Sequence, residues 1–238
     1  MSAVKERVLV GANSAILEWV ARFWAWQGDR IFLIGRNSEK LAALATDLQM
    51  RGAAHVEVIT MDLANPAEVW SFAVDFFGER ERLDTLLVGC GVFDPEVERQ
   101  PTFEGCHRLW AVNFESVAMI LLAAKPHFIR NKQGTIAALS CWAGETTSKA
   151  SENTVFGASK AALNRLMCGL RQELKPHQVH VCTIIPDQVD SQGLLKPEQV
   201  ARDILLSMDH KDVIYSPPGL KWRGWVGKLV GGLQWRRP

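Results

Sequence analysis

Seven short apolar runs, spaced out by stretches of helical periodicity, constrain this 238-residue chain more than any other feature. The runs fall at residues 7–10, 31–35, 56–62, 83–88, 135–140, 179–185 and 213–215, and most are too continuously apolar to be strands with one wet face. Between them, residues 16–27, 39–52, 67–78, 113–130, 155–174 and 197–208 place apolar side chains at the three- and four-residue intervals of an amphipathic helix. A strand that returns to the same sheet through a helix does so right-handedly and parallel. The alternation therefore predicts one α/β domain over residues 1–218, a doubly wound parallel sheet of about seven strands with helices on both faces.

Composition narrows the classes of function. With 47% hydrophobic and 22% charged residues the chain is able to bury a sizeable core, and a net charge of +1 gives no overall field for a nucleic-acid partner. Residues 1–7 run directly into the first strand, and no apolar run reaches the roughly 20 residues of a membrane-spanning helix. Cys90, Cys106, Cys141, Cys168 and Cys182 are odd in number and scattered without metal-ligand spacing, so a reducing, cytoplasmic setting and no metal are expected.

The first strand enters Gly11-Ala12-Asn13-Ser14-Ala15, and Ile16 begins a helix. Strand, glycine turn and helix are the opening of a Rossmann unit, in which backbone N–H groups at the helix N-terminus receive a pyrophosphate. A glycine turn between strand and helix also occurs for purely structural reasons. Arg36 lies at the end of the second apolar run, where an acidic residue would bind a ribose 2′-hydroxyl. A guanidinium there suits a 2′-phosphate, which favours NADP over NAD; the plainer alternative is a solvated arginine opening the next helix.

Residues 154–163, Thr-Val-Phe-Gly-Ala-Ser-Lys-Ala-Ala-Leu, resemble the Y-x-x-x-K segment of the short-chain dehydrogenase/reductase family, with Phe156 in place of tyrosine and Lys160 kept. The single tyrosine, Tyr215, lies far downstream. The resemblance extends over about residues 7–215. Val10 to Leu17 match the family's T-G-x-x-x-G-x-G turn with only Gly11 retained, Ala15 and Leu17 standing for the later glycines. Asp62-Leu63 match the pair beside the adenine, although Asp62 is also suited to cap the helix that follows. Val88-Gly89-Cys90-Gly91 resemble the N-N-A-G strand end, with both asparagines lost.

Further positions are implied by the resemblance. Asn113 matches the helix asparagine that holds a water in the family's proton relay, or is a local polar plug. Leu139-Ser140-Cys141-Trp142-Ala143-Gly144 resemble I-S-S-x-x-G, with Cys141 where the serine that positions the substrate carbonyl stands. A thiol is the weaker hydrogen-bond donor, and Ser140 is one residue out of register at a strand end. Cys141 reads as a small buried thiol, or as a reactive one if its pKa is lowered. Pro186, Val189 and Ser191 fall on the P-G-x-V-x-T motif that meets the nicotinamide carboxamide, with Asp187 in place of glycine, and residues 192–196 leave little material for a substrate lid.

In the resembling enzymes the tyrosine protonates the carbonyl oxygen while the lysine lowers its pKa and binds the nicotinamide ribose. Phe156 has no proton to give. Three readings follow: an NADP(H)-dependent oxidoreductase of altered mechanism acting on a small molecule, an inactive dinucleotide-binding sensor or partner subunit, and a cofactor-free scaffold. A homo-oligomer, dimer or tetramer, is implied through the helices carrying Asn113 and Lys160. The tail, residues 219–238, holds five basic and no acidic side chains among apolar and tryptophan residues. It fits an interfacial helix on anionic lipid, and equally a segment packed on the domain or on a subunit partner. More loosely, the 11–16 turn and the tail resemble the polyprenyl-phosphate-sugar keto-reductase branch.

Overall fold

A computed structural model describes residues 3–145, 153–186 and 196–216. In chain order the elements are β1 (Glu6–Val10), α1 (Ala15–Trp26), β2 (Arg30–Gly35), α2 (Ser38–Met50), β3 (His55–Thr60), α3 (Pro66–Gly78) and β4 (Thr85–Val88). They continue with α4 (Pro95–Arg99), α5 (Phe103–Trp110), α6 (Ser116–Asn131), β5 (Thr135–Leu139), α7 (Thr154–Leu174), β6 (His180–Pro186), α8 (Pro197–Ser207) and β7 (Val213–Ser216). All seven strands pair parallel, in the order β3-β2-β1-β4-β5-β6-β7. The expected architecture is therefore the observed one.

Alternation along each strand sends side chains into two cores. Val8 and Val10 join the layer beneath α3, α6 and α7, while Leu9 points into the layer beneath α1, α2 and α8. The chain winds outward from β1 in one direction and from β4 in the other, so the crevice above the β1–β4 boundary is the switch point where such sheets receive ligands.

The largest departure from expectation is the helix read as 113–130. It begins ten residues earlier, at Phe103, and runs without a break to Asn131 through a π-turn at Ala111–Glu115. Its first two turns expose Glu104, His107 and Arg108, which hides their periodicity in the sequence, and Thr102 caps them by accepting a hydrogen bond from the Gly105 amide at 3.1 Å. By length and composition this helix would cross a membrane, yet most of its apolar side is buried in the core beneath α3 and α7.

At the opposite, amino-terminal edge of the sheet, Arg7 and Asp29 form a buried ion pair at 2.7 Å. Arg7 also donates to Thr85 Oγ1 and lies over the Trp24 ring, while Asp29 accepts the Lys5 amide, so β1, β4 and the α1–β2 turn are tied at one point. Removing one partner strands a buried charge. Asp29→Ala should cost about 3–5 kcal/mol, read as a lower urea midpoint with an unchanged slope; an unchanged midpoint would show that the pair contributes nothing net.

Candidate active site

The crevice is built from the carboxyl ends of five strands. At β1, Gly11 adopts φ +83°, and a Cβ there would lie 2.8 Å from the Gly89 carbonyl oxygen and 3.0 Å from Cys90 Sγ. Only glycine allows the two loops to approach so closely. Ser14 occupies the N-cap of α1 in extended conformation, yet among the described residues its side chain makes no capping bond. By contrast Asn37, Asn65, Asp94 and Thr102 all cap their helices. The first-turn N–H groups of α1, beginning at exposed Ala15 and followed by buried Ile16, are left for an anion.

Asn13 adds a second donor. Its Oδ1 accepts the Asn37 amide at 3.4 Å, and Gly35 has no side chain to obstruct it, but its Nδ2 is buried without an acceptor among the described residues. Arg36 is exposed beside it and has no partner among the described residues. Leu63 is buried, its carbonyl accepting from Ser116 Oγ at 2.7 Å. Asp62 turns on itself to accept the Ala64 amide, so the cap of α3 is Asn65 and not Asp62.

At the end of β4, Gly89 meets Leu17 of α1. A Cβ on Gly89 would lie 2.5 Å from Leu17 Cδ1 and 3.1 Å from its Cγ, and Leu17 is fully buried. Leu17 occupies the volume that a side chain at 89 would need, so its bulk is absorbed in the packing against a bare glycine.

Lys160, on α7, is the centre of the site. It is 4% exposed, and its Nζ donates to the Cys90 carbonyl at 3.1 Å, the one hydrogen bond that the ammonium makes among the described residues. The Nζ lies 3.2 Å from where a Gly91 Cβ would be, so it faces the open side of the β4 end. Burial pushes its pKa down, and the nearby thiols of Cys141 and Cys90 oppose that shift. The Cys90 thiol is itself pushed up to about 12 by burial, which leaves it neutral and unreactive.

Asn113 sits fully buried in the π-turn, a feature that recurs at functional sites because it re-aims a side chain. Its Oδ1 accepts the Val92 amide at 2.7 Å and its Nδ2 donates to the Val92 carbonyl at 2.8 Å, with a weaker contact to Ser159 Oγ at 3.4 Å. The amide is committed to pinning the loop after β4. Ser140 is buried and its hydroxyl reaches only the Lys160 carbonyl, at 3.5 Å, whereas Cys141 is half-buried and its Sγ accepts the Ala143 amide at 3.2 Å.

Phe156 packs edge-to-face on Phe93 at 5.5 Å, and its ring centroid lies 5.8 Å from the Lys160 ammonium. The first-turn amides of Val155 and Phe156 donate to the Glu98 carboxylate at 3.1 and 2.7 Å. Glu98 therefore fixes the start of α7, a role that sequence reading missed; its one signal was the proline-initiated acidic segment at 94–98. Pro186 ends β6 at the rim of the crevice, while Val189, Ser191, the 192–195 stretch and the 219–238 tail lie outside the described residues.

Among the described residues, the α1 N-terminus without a side-chain cap, Asn13 Nδ2, Arg36 and the Lys160 ammonium with its single acceptor are donors that could hold a dinucleotide. Among the described residues no group of three or more His, Cys, Asp or Glu gathers closely enough to hold a metal ion.

A family model described as short chain dehydrogenase matches residues 5–199. Dehydrogenase/reductase SDR family member 7B from Bos taurus is 27% identical, with 96% of this chain and 78% of the relative covered. A short-chain dehydrogenase from Sphingobium yanoikuyae in complex with NADPH matches with a TM-score of 0.79 and 25% identity, over 98% of this chain and 96% of the other. A metagenomic short-chain oxidoreductase in complex with NADP gives a TM-score of 0.75 and 28% identity, over 89% and 95% respectively.

The contact of Leu17 with Gly89 makes a defined prediction. Leu17→Gly alone should destabilise by about 3–5 kcal/mol through the cavity it leaves, and Gly89→Asn alone by about 1–3 kcal/mol through overpacking. The double variant should recover part of the summed loss in a thermal-unfolding cycle; strict additivity would show that the two positions are independent.

Proposed function

Since this chain belongs to the short-chain dehydrogenase family, we propose that it is an NADP(H)-dependent oxidoreductase acting on a carbonyl or alcohol group of a small molecule. The observation that carries this reading is Lys160, a buried ammonium with open donors placed beside the β4 end, where a nicotinamide ribose would sit. When bound, the dinucleotide supplies or accepts the hydride. The chain's own part is to hold it: α1 offers its first-turn amides to the pyrophosphate, Arg36 pairs with a 2′-phosphate, and Lys160 binds ribose hydroxyls. NADP is favoured over NAD by Arg36, an exposed guanidinium without a partner among the described residues, at the position where a 2′-substituent would be read.

Phe156 makes the proton supply unlike that of the resembling enzymes. The aromatic ring keeps the shape of that wall, packed on half-exposed Phe93, while removing its acid. Loss of a positioned general acid costs on the order of 10²–10⁴ in rate. The same absence supports a second reading, a dinucleotide-binding sensor or partner subunit that does not turn over. We place the protein in the cytoplasm, on its scattered thiols, and as a homo-oligomer through the helix pair α6 and α7. Contact of residues 219–238 with anionic lipid rests on their basic and tryptophan content alone.

The test is a titration with NADPH and with NADH, read by energy transfer from the tryptophans. Saturable binding with NADPH at least ten times tighter is expected. Arg36→Ala should remove that preference, and Lys160→Ala should weaken both nucleotides. Absence of binding by either nucleotide would overturn the assignment. Binding without NADPH oxidation across a broad carbonyl panel would favour the sensor.

A further inference from the structure

We propose that the substrate of this site is a flat quinone, seated on the Phe93 and Phe156 rings and reduced without a proton donor from the protein. The proposal rests on the NADP(H)-dependent oxidoreductase reading and names the substrate class within it.

Residues 156 and 160 lie one turn apart on α7 and so share a face. The Phe156 ring centroid is 5.8 Å from Lys160 Nζ, and that Nζ lies 3.2 Å from where a Gly91 Cβ would be. Phe93, in the loop that Gly91 opens, meets Phe156 edge-to-face at 5.5 Å and is 52% exposed. A chain of close approaches thus runs from the β4 end through the ammonium to two phenyl rings. Each ring stands on a fastened backbone. Asn113 holds the loop before Phe93 through both polar atoms of its amide, and Glu98 accepts the Phe156 amide at 2.7 Å. Two phenyl rings set in this way suit a further flat π system, which they meet by edge or offset face.

The same ring at position 156 selects the chemistry. Reducing an isolated ketone leaves an alkoxide, a strong base, so an acid has to act in the same step, and losing a positioned one costs on the order of 10²–10⁴ in rate. A quinone escapes that cost. The hydride, with its electron pair, goes to one quinone oxygen, the π pairs shift round the ring, which becomes aromatic, and the second oxygen carries the charge. The dihydronicotinamide is oxidised by one electron pair and the quinone is reduced by the same pair, with no proton consumed. A phenol-type oxygen has a pKa of about 10, so the hydroquinone anion takes its proton from water after the transfer. The Lys160 ammonium favours that negative charge as it develops. A phenyl group in the acid's place therefore costs such a substrate little and adds to the wall that seats it.

Binding is tested first, by equilibrium dialysis of 9,10-phenanthrenequinone with NADP present, so that no reduction occurs. This quinone has no ring carbon open to addition by the free thiols. Phe93→Ala should raise its Kd about tenfold and leave the affinity for NADP as it is; an unmoved quinone Kd overturns the proposal. Rates of NADPH oxidation are then compared, without oxygen, for the same quinone and for 9-fluorenone, a flat ketone of similar size that gives an alkoxide. In Phe156→Tyr the quinone-to-ketone ratio of kcat/KM should fall about 10²-fold, because the ketone gains most from a phenol. Comparing ratios between variants cancels the quinone's greater intrinsic reactivity. With the wild-type protein, kcat/KM for the quinone should be the same in ordinary and heavy water. An unchanged ratio, a solvent isotope effect on the quinone, or NADPH binding without quinone reduction overturns the proposal. Reduction of fluorenone but not of the quinone would overturn it and leave the oxidoreductase reading standing, whereas failure of NADPH to bind would refute that reading itself.

Discussion

Lys160 carries an ammonium group into the interior on a four-carbon stem, where desolvation works against its charge and, among the described residues, a single backbone carbonyl answers it. Burying a charge without adequate partners costs several kcal/mol or more, so the surrounding chain has to be organised about it. Gly91 stays bare so that the ammonium reaches open space. Gly144 stays bare so that the β5 turn can lie against the lysine's own backbone. Both glycines are explained by steric approach to one residue, Lys160.

The position of that lysine is set from three directions. Glu98, on the short helix α4, receives the first amides of α7 and so fixes where the helix begins. The π-turn rotates Asn113 inward, and its amide clamps the loop after β4 whose carbonyl holds the ammonium. Trp110 donates its indole N–H to the Val155 carbonyl, closing the triangle between the long helix and α7. A π-turn disturbs the regular hydrogen-bond ladder, and here it yields a buried amide directed across to the next loop.

The departures from the motif pattern that the family resemblance implies fall into two kinds. Leu17 and Gly89 are a packed pair, in which one side chain fills the space that a side chain at the other position would need. Phe156 and Cys141 alter chemistry while keeping shape: an aromatic ring remains on Phe93, and a polarisable sulfur stands in a serine position.

The sequence by itself determined the sheet and placed Gly11 and Arg36 at the ends of its first two strands, because continuous apolar runs and glycine turns are local signals that need no partner to be read; Asn113, Cys141 and Lys160 were marked by the family resemblance. What it missed was also local: residues 103–112 hide a helix behind charged side chains, and of the two candidates for the cap of α3, Asp62 and Asn65, it is Asn65 that makes it. Only the tertiary structure decided what depends on approach between distant segments. That Leu17 fills the space above Gly89, that Glu98 caps α7, and that Asn113 is spent on Val92 are contacts between residues 21 to 72 positions apart, which spacing along the chain does not encode.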